Sequence, residues 1–183
     1  MISILMIILS SPLLILAAIA IRLDSKGPIF YSQERVGQYG KPFKVWKFRS
    51  MITDAEANGP QWADKNDSRI TKVGAFLRKS RIDEIPQFLC VLAGDMSIVG
   101  PRPEREFFIE KLKKEVPLYG RRLLMKPGIT GWAQVRHHYD TSIEDVKQKI
   151  MYDLYYFENM SLGLDIQIML RTVWVVFTGS GAH

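Results

Sequence analysis

The sequence predicts an α/β protein in which a small polar domain, built from a β-hairpin and several helices, follows an apolar N-terminal segment. Residues 1–21 carry no charged side chain, so all 25 basic and 19 acidic residues lie beyond them. The stretches 28–36 and 42–50 are rich in aromatic and β-branched residues, as paired strands are. Beyond residue 73 the apolar positions recur every three or four residues, which is typical of amphipathic helices.

The composition is that of one folded domain. The chain has 183 residues, of which 47% are hydrophobic and 24% charged, enough to bury a single core. Cys90 is the only cysteine, which excludes an intrachain disulfide and a zinc site built on several cysteines, and which fits a reducing compartment. We therefore divide the chain into a membrane segment at 1–22 and a cytosolic domain at 23–183.

The N-terminal segment has the length of a membrane helix. As one straight helix, residues 1–21 would extend about 31 Å, close to the thickness of the hydrocarbon layer. A spanning anchor is the simplest interpretation. A signal peptide is a second, because residues 18–20 resemble a cleavage site, but the basic residues that precede such a segment are missing.

Ser11 and Pro12 lie at the midpoint of this segment. Proline donates no backbone hydrogen bond and clashes with the carbonyl of Ile8, so we expect the helix to break there, with serine hydroxyls bonding the freed carbonyls. A kinked spanning helix and a re-entrant hairpin are both compatible with this pattern. Arg22 and Lys26 follow at once, which places the polar domain in the cytoplasm in either case.

The polar domain begins with a hairpin that turns at 37–40, with a bulge expected between Val45 and Trp46 because the apolar alternation slips there. Helices are predicted near 73–79, from about Asp83 to Gly94, at 104–115 and at 143–158, the last opened by a Ser142–Asp145 capping box. The segment 164–177 is either a core helix or an amphipathic helix in the membrane interface, with Trp174 and Phe177 inserted.

A dense charged run at 78–84 is the strongest candidate for chemistry. Three cations precede the adjacent carboxylates Asp83 and Glu84 at a predicted helix start. Helix capping alone would favour acidic residues there by about 0.3–1 kcal/mol. Alternatively, clustered arginines form an anion site that holds a carboxylate nucleophile or metal ligand. Neighbouring helical residues point about 100° apart, so the two carboxylates should take different roles.

Further basic groups accompany this run. Arg102 lies between two prolines that restrict its backbone and would aim its guanidinium, and Arg49 follows a predicted strand. The loop at 126–135 is rich in tight turns.

Common signatures of nucleotide hydrolases, Rossmann dehydrogenases and serine esterases are absent, as is the Asp-x-Asp motif of many sugar transferases. His137 and His138 have no carboxylates at ligand spacing and are read as surface residues.

Together these blocks resemble the bacterial sugar transferase family, the monotopic polyprenyl-phosphate phosphoglycosyl transferases. The resemblance covers almost the whole chain in order. Its motifs are Ser-Pro at 11–12, Lys-Phe-Arg-Ser-Met at 47–51, Asp-Glu-Ile-Pro-Gln at 83–87, Gly-Asp-Met-Ser at 94–97, Val-Gly-Pro-Arg-Pro at 99–103 and Pro-Gly-Ile-Thr-Gly-Trp-Ala-Gln-Val at 127–135.

The resemblance implies transfer of a sugar phosphate from a UDP-sugar to undecaprenyl phosphate with Mg²⁺, releasing UMP, as the first membrane step of polysaccharide or glycoconjugate assembly. It implies that Asp83 is the nucleophile, which forms a covalent phosphosugar intermediate, and that Glu84 is its partner. Because Mg²⁺ usually binds through one or two carboxylates plus phosphates, both residues are also expected as metal ligands. The resemblance also implies an α/β domain on a re-entrant helix hairpin, with amphipathic interface helices, at the cytoplasmic face of the bacterial inner membrane. The residues expected near the phosphates are Arg49, Arg78, Arg102 and Arg136.

Two departures from the family are visible. Family members usually carry basic residues before the apolar segment, whereas this sequence begins at Met1, so we expect the catalytic part of a larger member. The arginine expected after the Gln-Val pair is displaced, which leaves Arg136 or His138 in its place. The sequence does not identify the sugar or the oligomeric state, a homodimer included.

Other functions remain open at this point. The net charge of +6 also fits a membrane-anchored, non-enzymatic module that binds anionic lipid, although such a module gives no reason for the acidic pair. A lipid-phosphate phosphatase or nucleotide-sugar hydrolase would use the same two carboxylates, Asp83 and Glu84, which we call the dyad. We expect membrane lipids as partners and no nucleic acid.

Overall fold

The computed structural model describes residues 2–57, 59, 67–137 and 142–178. It confirms a mixed α/β fold with an N-terminal apolar helix and a β-hairpin. Short 3₁₀ turns lie at Gln38–Gly40, Ile82–Glu84 and Tyr119–Leu124. The helices are α1 (Ile2–Asp24), α2 (Lys72–Lys79), α3 (Gln87–Ala93), α4 (Glu106–Glu115), α5 (Trp132–Arg136), α6 (Ile143–Glu158) and α7 (Leu162–Thr178), and the strands are β1 (Phe30–Val36), β2 (Pro42–Phe48), β3 (Ser97–Val99) and β4 (Gly128–Thr130).

Helix α1 is continuous through Pro12, and since a continuous helix can bend at a proline, the expected break at Ser11-Pro12 stays a prediction. The backbone hydrogen bond lost at Pro12 is replaced locally. Pro12 has no N–H for the carbonyl of Ile8, and the Ser11 hydroxyl donates to that oxygen instead at 2.8 Å. The Ser10 hydroxyl bonds the Met6 carbonyl at 2.6 Å. The predicted compensation by serine hydroxyls is therefore present, and the re-entrant topology stays a prediction.

One edge of α1 packs on the domain and the rest is exposed. Ala17 and Ile21 are buried against Phe48, Leu77 and Ile82. By length and composition α1 could cross a bilayer, and 11% of its apolar window is buried. Ser3 is buried near the other end of α1, so one edge of the helix is covered along its length and not in its C-terminal part alone.

Strands β1 and β2 form the predicted antiparallel hairpin with one-to-one pairing from Phe30↔Phe48 to Val36↔Pro42. The expected bulge at Val45 is therefore wrong. Alternate residues of a strand point to opposite faces. Val45 packs with Cys90 and Met96 on one face, whereas Phe48 packs on α1 from the other. The alternation of apolar residues is irregular because Val45 is buried on one face of β2 and Phe48 on the other.

The sequence did not predict the second sheet, in which β3 and β4 pair in parallel, Val99 opposite Thr130. The Gly100 N–H donates to the Thr130 carbonyl at 2.9 Å, and a Cβ on Gly100 would collide with the backbone carbonyl of Lys126. Glycine is required by this close approach. The two turn-rich loops singled out in the sequence are thus one packed unit.

The C-terminal helices agree with the predictions. Helices α4 and α6 enclose a core that includes Ile109 and Ile150, and the Ser142–Asp145 capping box opens α6. Helix α7 buries Ile168 against the β3 and β4 region and leaves an apolar face exposed. That face consists of Ile166, Leu170, Val173 and Trp174. The side chain of Phe177 lies outside the described part.

Candidate active site

Asp83 and Glu84 lie in the 3₁₀ turn between α2 and α3. Arg81 adopts a left-handed conformation with φ of 58° and redirects the chain into this turn. Helix α3 begins only at Gln87, with Pro86 as its cap, so the predicted helix start at Asp83 is wrong by four residues. A proline is best tolerated at a helix start, and this register places Pro86 just before one.

Glu84 is 9% exposed and held by two cations through a single oxygen. Its Oε1 accepts from Lys47 Nζ at 2.7 Å and from Arg102 at 2.6 Å. Burial alone would raise the pKa of Glu84, but the charges of Arg102 and Lys47 hold it well below its usual value. These two cations therefore favour the ionised form of Glu84, which joins strand β2 to the loop carrying Arg102.

Asp83 has a different environment, although it is the next residue. It is 6% exposed, and its buried Oδ1 has no hydrogen-bond partner. Burial and the neighbouring charge of Glu84 raise its pKa to about 6, against the opposing influence of Lys47, Arg78 and Arg102. A buried carboxylate oxygen without a partner costs about 1–3 kcal/mol, so a water molecule or a ligand would be stabilised at this oxygen.

A guanidinium nitrogen is unpartnered in the same region. Arg78 extends from the last turn of α2, and its NH1 is buried without a hydrogen-bond partner. Its charge lowers the pKa of Asp83, which places the two groups in one electrostatic site. An unpartnered carboxylate oxygen and an unpartnered guanidinium nitrogen can together accept a ligand that brings anionic oxygens and an electrophilic centre.

Arg102 reaches Glu84 from a loop that is fixed along its backbone. The side chain of Arg102 has little freedom because prolines flank it and its loop is bonded on both sides. Four successive carbonyls of this loop accept hydrogen bonds. They are Pro101 from Gly128 N at 2.9 Å, Arg102 from Arg122 at 2.9 Å, Pro103 from Arg35 at 3.2 Å and Glu104 from Val36 N at 2.9 Å.

A buried ion pair lies behind this loop, and sequence reasoning missed it. Arg122 and Asp153 are each 2% exposed, with Nε 3.0 Å from Oδ2. Arg122 also donates to the Tyr119 hydroxyl at 3.1 Å. The sequence does contain one indication of this pair, because Asp153 is a charged residue between Ile150 and Leu154 on the otherwise apolar face of α6. A single charge on a core face indicates a buried partner.

Two of the four arginines expected at the phosphates make other contacts. Arg49 is buried and donates to the backbone carbonyls of Ser25 at 2.7 Å and Lys26 at 2.8 Å, just beyond α1, while its buried Nε has no hydrogen-bond partner, so its phosphate role stays a prediction. Arg136 is exposed and lies 4.5 Å from the centre of the Trp132 ring, and its phosphate role stays a prediction. His138 lies outside the described residues.

The carboxylates offer only part of a metal site. Among the described residues no cluster of three or more His, Cys, Asp or Glu side chains could hold an ion. The unpartnered Oδ1 of Asp83 is a hard oxygen of the kind Mg²⁺ accepts, whereas Oε1 of Glu84 already binds two cations. A magnesium ion fits here if a ligand supplies further oxygens.

Comparisons with known proteins agree with these motifs. A family model described as bacterial sugar transferase matches residues 1–179. An Aeromonas hydrophila UDP-N-acetylgalactosamine-undecaprenyl-phosphate N-acetylgalactosaminephosphotransferase is 46% identical over 96% of this chain and 41% of its own length. An Escherichia coli (strain K12) UDP-glucose:undecaprenyl-phosphate glucose-1-phosphate transferase is 43% identical over 98% of this chain and 39% of its own.

The name of a third relative gives a different sugar. The undecaprenyl-phosphate galactose phosphotransferase of Salmonella typhimurium is 39% identical over 99% of this chain and 40% of its own length. The chain thus spans about two fifths of the length of these three relatives. Since the family model covers nearly all of it, the chain belongs to the bacterial sugar transferase family.

Proposed function

We propose that this chain is the catalytic part of a phosphoglycosyl transferase that moves a sugar 1-phosphate from a UDP-sugar to undecaprenyl phosphate and releases UMP. The observation that carries the proposal is the unpartnered, buried Oδ1 of Asp83 beside several cations. The names of the relatives supply the two substrate classes. They name three different sugars, so the sugar used here has to be found by experiment.

In the first step, the Asp83 carboxylate attacks the phosphorus that carries the sugar. An Asp83–phosphorus bond forms, the bond from that phosphorus to the bridging oxygen breaks, and UMP leaves with the electron pair. A carboxylate approaching an anionic phosphate meets a repulsion of about 4 kcal/mol per unit-charge pair at 4 Å and an effective dielectric of 20. Arg78, whose NH1 is unpartnered, is positioned to reduce this cost.

In the second step, an oxygen of undecaprenyl phosphate attacks the same phosphorus. The bond to Asp83 breaks, the carboxylate is regenerated, and the lipid diphosphosugar leaves. The lipid phosphate is already ionised at neutral pH, so this step needs no general base. That argument favours a covalent intermediate over a mechanism in which Asp83 merely activates the acceptor.

The remaining charges hold Asp83 in place and tune it. Lys47 and Arg102 neutralise Glu84, so the dyad does not present two uncompensated anions to the donor. Magnesium would be held by Asp83, through the carboxylate oxygen that does not attack phosphorus, and by Glu84 through its other oxygen, together with oxygens of the diphosphate. Bound Mg²⁺ would neutralise phosphate charge during the transfer.

We also propose that the chain sits at the cytoplasmic face of the bacterial inner membrane. The exposed apolar surface of α1 and the apolar face of α7 around Trp174 support it. A tryptophan on such a face is typical of helices that lie in the membrane interface. In this arrangement a lipid phosphate and a soluble nucleotide sugar both reach the dyad.

The decisive experiment measures UMP release from a panel of UDP-sugars by the chain in lipid nanodiscs, with Mg²⁺, with and without undecaprenyl phosphate. We expect about one UMP per active site without the lipid and sustained turnover with it. Sustained release without lipid would identify a hydrolase. No release from any donor, in protein shown to be folded, would favour the non-enzymatic membrane module.

A further inference from the structure

The end of α1 is bonded to two other elements of the domain. The Asp24 carboxylate accepts a partly buried hydrogen bond of 3.1 Å from the backbone N–H of Val73, in the first turn of α2. Arg49, which follows β2, donates to the carbonyls of Ser25 at 2.7 Å and Lys26 at 2.8 Å. The end of α1 is therefore fixed to α2 on one side and to the segment after β2 on the other.

Helix α2 contacts α1 near both of its ends. Val73 bonds Asp24 in the first turn, and Leu77 is buried against α1 near the last turn. Between these two contacts, α2 packs at Gly74 on the segment that follows β2, where a Cβ would collide with the Ser50 carbonyl oxygen. Because this close approach leaves α2 no room to move toward that segment, the contacts with α1 on either side of it set the orientation of α2.

The orientation of α2 matters because Arg78 extends from its last turn. The NH1 of Arg78 is buried without a hydrogen-bond partner, and the charge of this residue acts on the Asp83 carboxyl. Arg102, by contrast, is oriented by its bond of 2.6 Å with Glu84. The place of the Arg78 nitrogen therefore depends on the helix that carries it.

We propose that Asp24 is a positioning residue for the transfer reaction, because its bond to α2 fixes the Arg78 guanidinium beside Asp83. This inference rests on the function proposed above. Asp24 is the last residue of the apolar helix, so the attachment of α1 to the domain and the arrangement of the catalytic charges belong to one structure. A shift of α1 relative to the domain would displace Arg78.

The alternative is that Asp24 only stabilises α2 as a helix cap. The chain contains a matched control, since the Thr71 hydroxyl also caps α2 and accepts from the Gly74 N–H at 3.0 Å. Thr71→Ala removes a cap and leaves the bond to α1, whereas Asp24→Ala removes a cap together with that bond. Both variants should lose a similar amount of stability, seen as similar melting temperatures. They differ in whether α2 remains bonded to α1.

The first measurement does not depend on turnover. The chain in nanodiscs is treated with phenylglyoxal, which modifies guanidinium groups, and the rate at Arg78 is measured by mass spectrometry relative to the exposed Arg121. We expect Asp24→Ala to raise the rate at Arg78 severalfold, because its buried nitrogen becomes accessible. Thr71→Ala should not change it. An unchanged rate in Asp24→Ala, or an equal rise in Thr71→Ala, would overturn the proposal even in an inactive chain.

The second measurement is the rate of the UMP burst. We expect Asp24→Ala to slow it by about tenfold or more, as the displacement of a catalytic group does. Thr71→Ala should leave the rate unchanged, and Asp24→Asn should restore most of it, because the amide oxygen can accept the same hydrogen bond. Asp24→Ser, whose hydroxyl is too short to reach Val73, should behave as Asp24→Ala and replaces it if the alanine variant does not fold.

A double-mutant cycle tests whether Asp24 acts through Arg78. In the Arg78→Ala background, Asp24→Ala should slow the burst no further, since the group that it positions is gone. An additional loss in that background, or an equally slow burst in Thr71→Ala, would show that Asp24 only stabilises the fold. A chain with no burst at all would contradict the proposed function instead, and the modification rates at Arg78 would then decide this inference alone.

Discussion

Arg122 donates a hydrogen bond of 2.9 Å to the backbone carbonyl of Arg102, so a guanidinium buried behind the site fixes the residue whose side chain holds Glu84. Arg122 is itself held by Asp153. Asp153 on α6 therefore connects to the dyad through Arg122 and Arg102. The position of the dyad therefore depends on a pair that touches neither carboxylate.

Asp153→Asn should be strongly destabilising, because it leaves the Arg122 guanidinium buried without its counter-charge. We expect a loss of about 3–5 kcal/mol in the free energy of unfolding, the usual result of breaking a buried pair from one side. Denaturant unfolding followed by circular dichroism measures it. The matched control is Glu110→Gln, which breaks an exposed pair with Lys113 and should cost about 0–1 kcal/mol.

Asp83→Asn should remove the donor half-reaction without reducing stability. The pKa of Asp83 is raised to about 6, so the folded protein carries a cost for its ionised form above pH 6, and this cost disappears as the pH falls toward 4. Asparagine removes the charge at every pH. At pH 8 the variant should melt at the same temperature as the unmodified chain or higher, with no UMP burst. A lower melting temperature would show that the carboxylate stabilises the fold.

The pH dependence of the UMP burst should report Asp83. Since the attacking form is the carboxylate, the rate should rise with pH through about 6. In Glu84→Gln burial still raises the pKa of Asp83, but the second cause, the Glu84 charge, is gone. The cations of Lys47 and Arg102 also lose their partner. In this variant the rate of the UMP burst should therefore begin to rise at a lower pH, and its maximum should be lower. A rise that begins at a higher pH would contradict this account.

The sequence predicts those parts of the molecule whose signals are local. The dyad stood out because two carboxylates follow three cations, and Arg102 because prolines flank it. The parallel pairing of β3 with β4 was missed because each strand has only three residues. The Arg122–Asp153 pair was missed because its partners are 31 positions apart and meet only in the fold. The backbone contacts of Arg49 were missed for the same reason, since the carbonyls that it binds belong to Ser25 and Lys26, just after α1.

The topology of α1 gives a fourth prediction. In the re-entrant arrangement, tags at the N- and C-termini are both cytoplasmic, as accessibility labelling in intact cells and inverted vesicles would show. Pro12→Ala restores the backbone donor for the Ile8 carbonyl, and adding Ser11→Ala removes the hydroxyl that now bonds it. The double variant should shift the N-terminus toward the outside. An external N-terminus in the unmodified chain would establish a spanning helix instead.

The last prediction concerns the order of the two chemical steps. If Asp83 is a nucleophile, donor and Mg²⁺ alone should leave a phosphosugar on the enzyme, and the adduct should lie on the peptide that contains Asp83. The environment favours this, since Oδ1 of Asp83 is unpartnered, whereas Oε1 of Glu84 is occupied by Lys47 and Arg102. Adding undecaprenyl phosphate should remove the adduct and yield the lipid product, as a ping-pong scheme requires.

Two controls make that measurement decisive. Glu84→Gln keeps the proposed nucleophile, so it should still form the adduct on Asp83, only more slowly, whereas Asp83→Asn should form none. An adduct on Glu84 would reverse the assignment of the two carboxylates. No adduct and no UMP before lipid is added, in protein that turns over once both substrates are present, would mean that both substrates must bind first. Asp83 would then serve only to hold the metal and the phosphates.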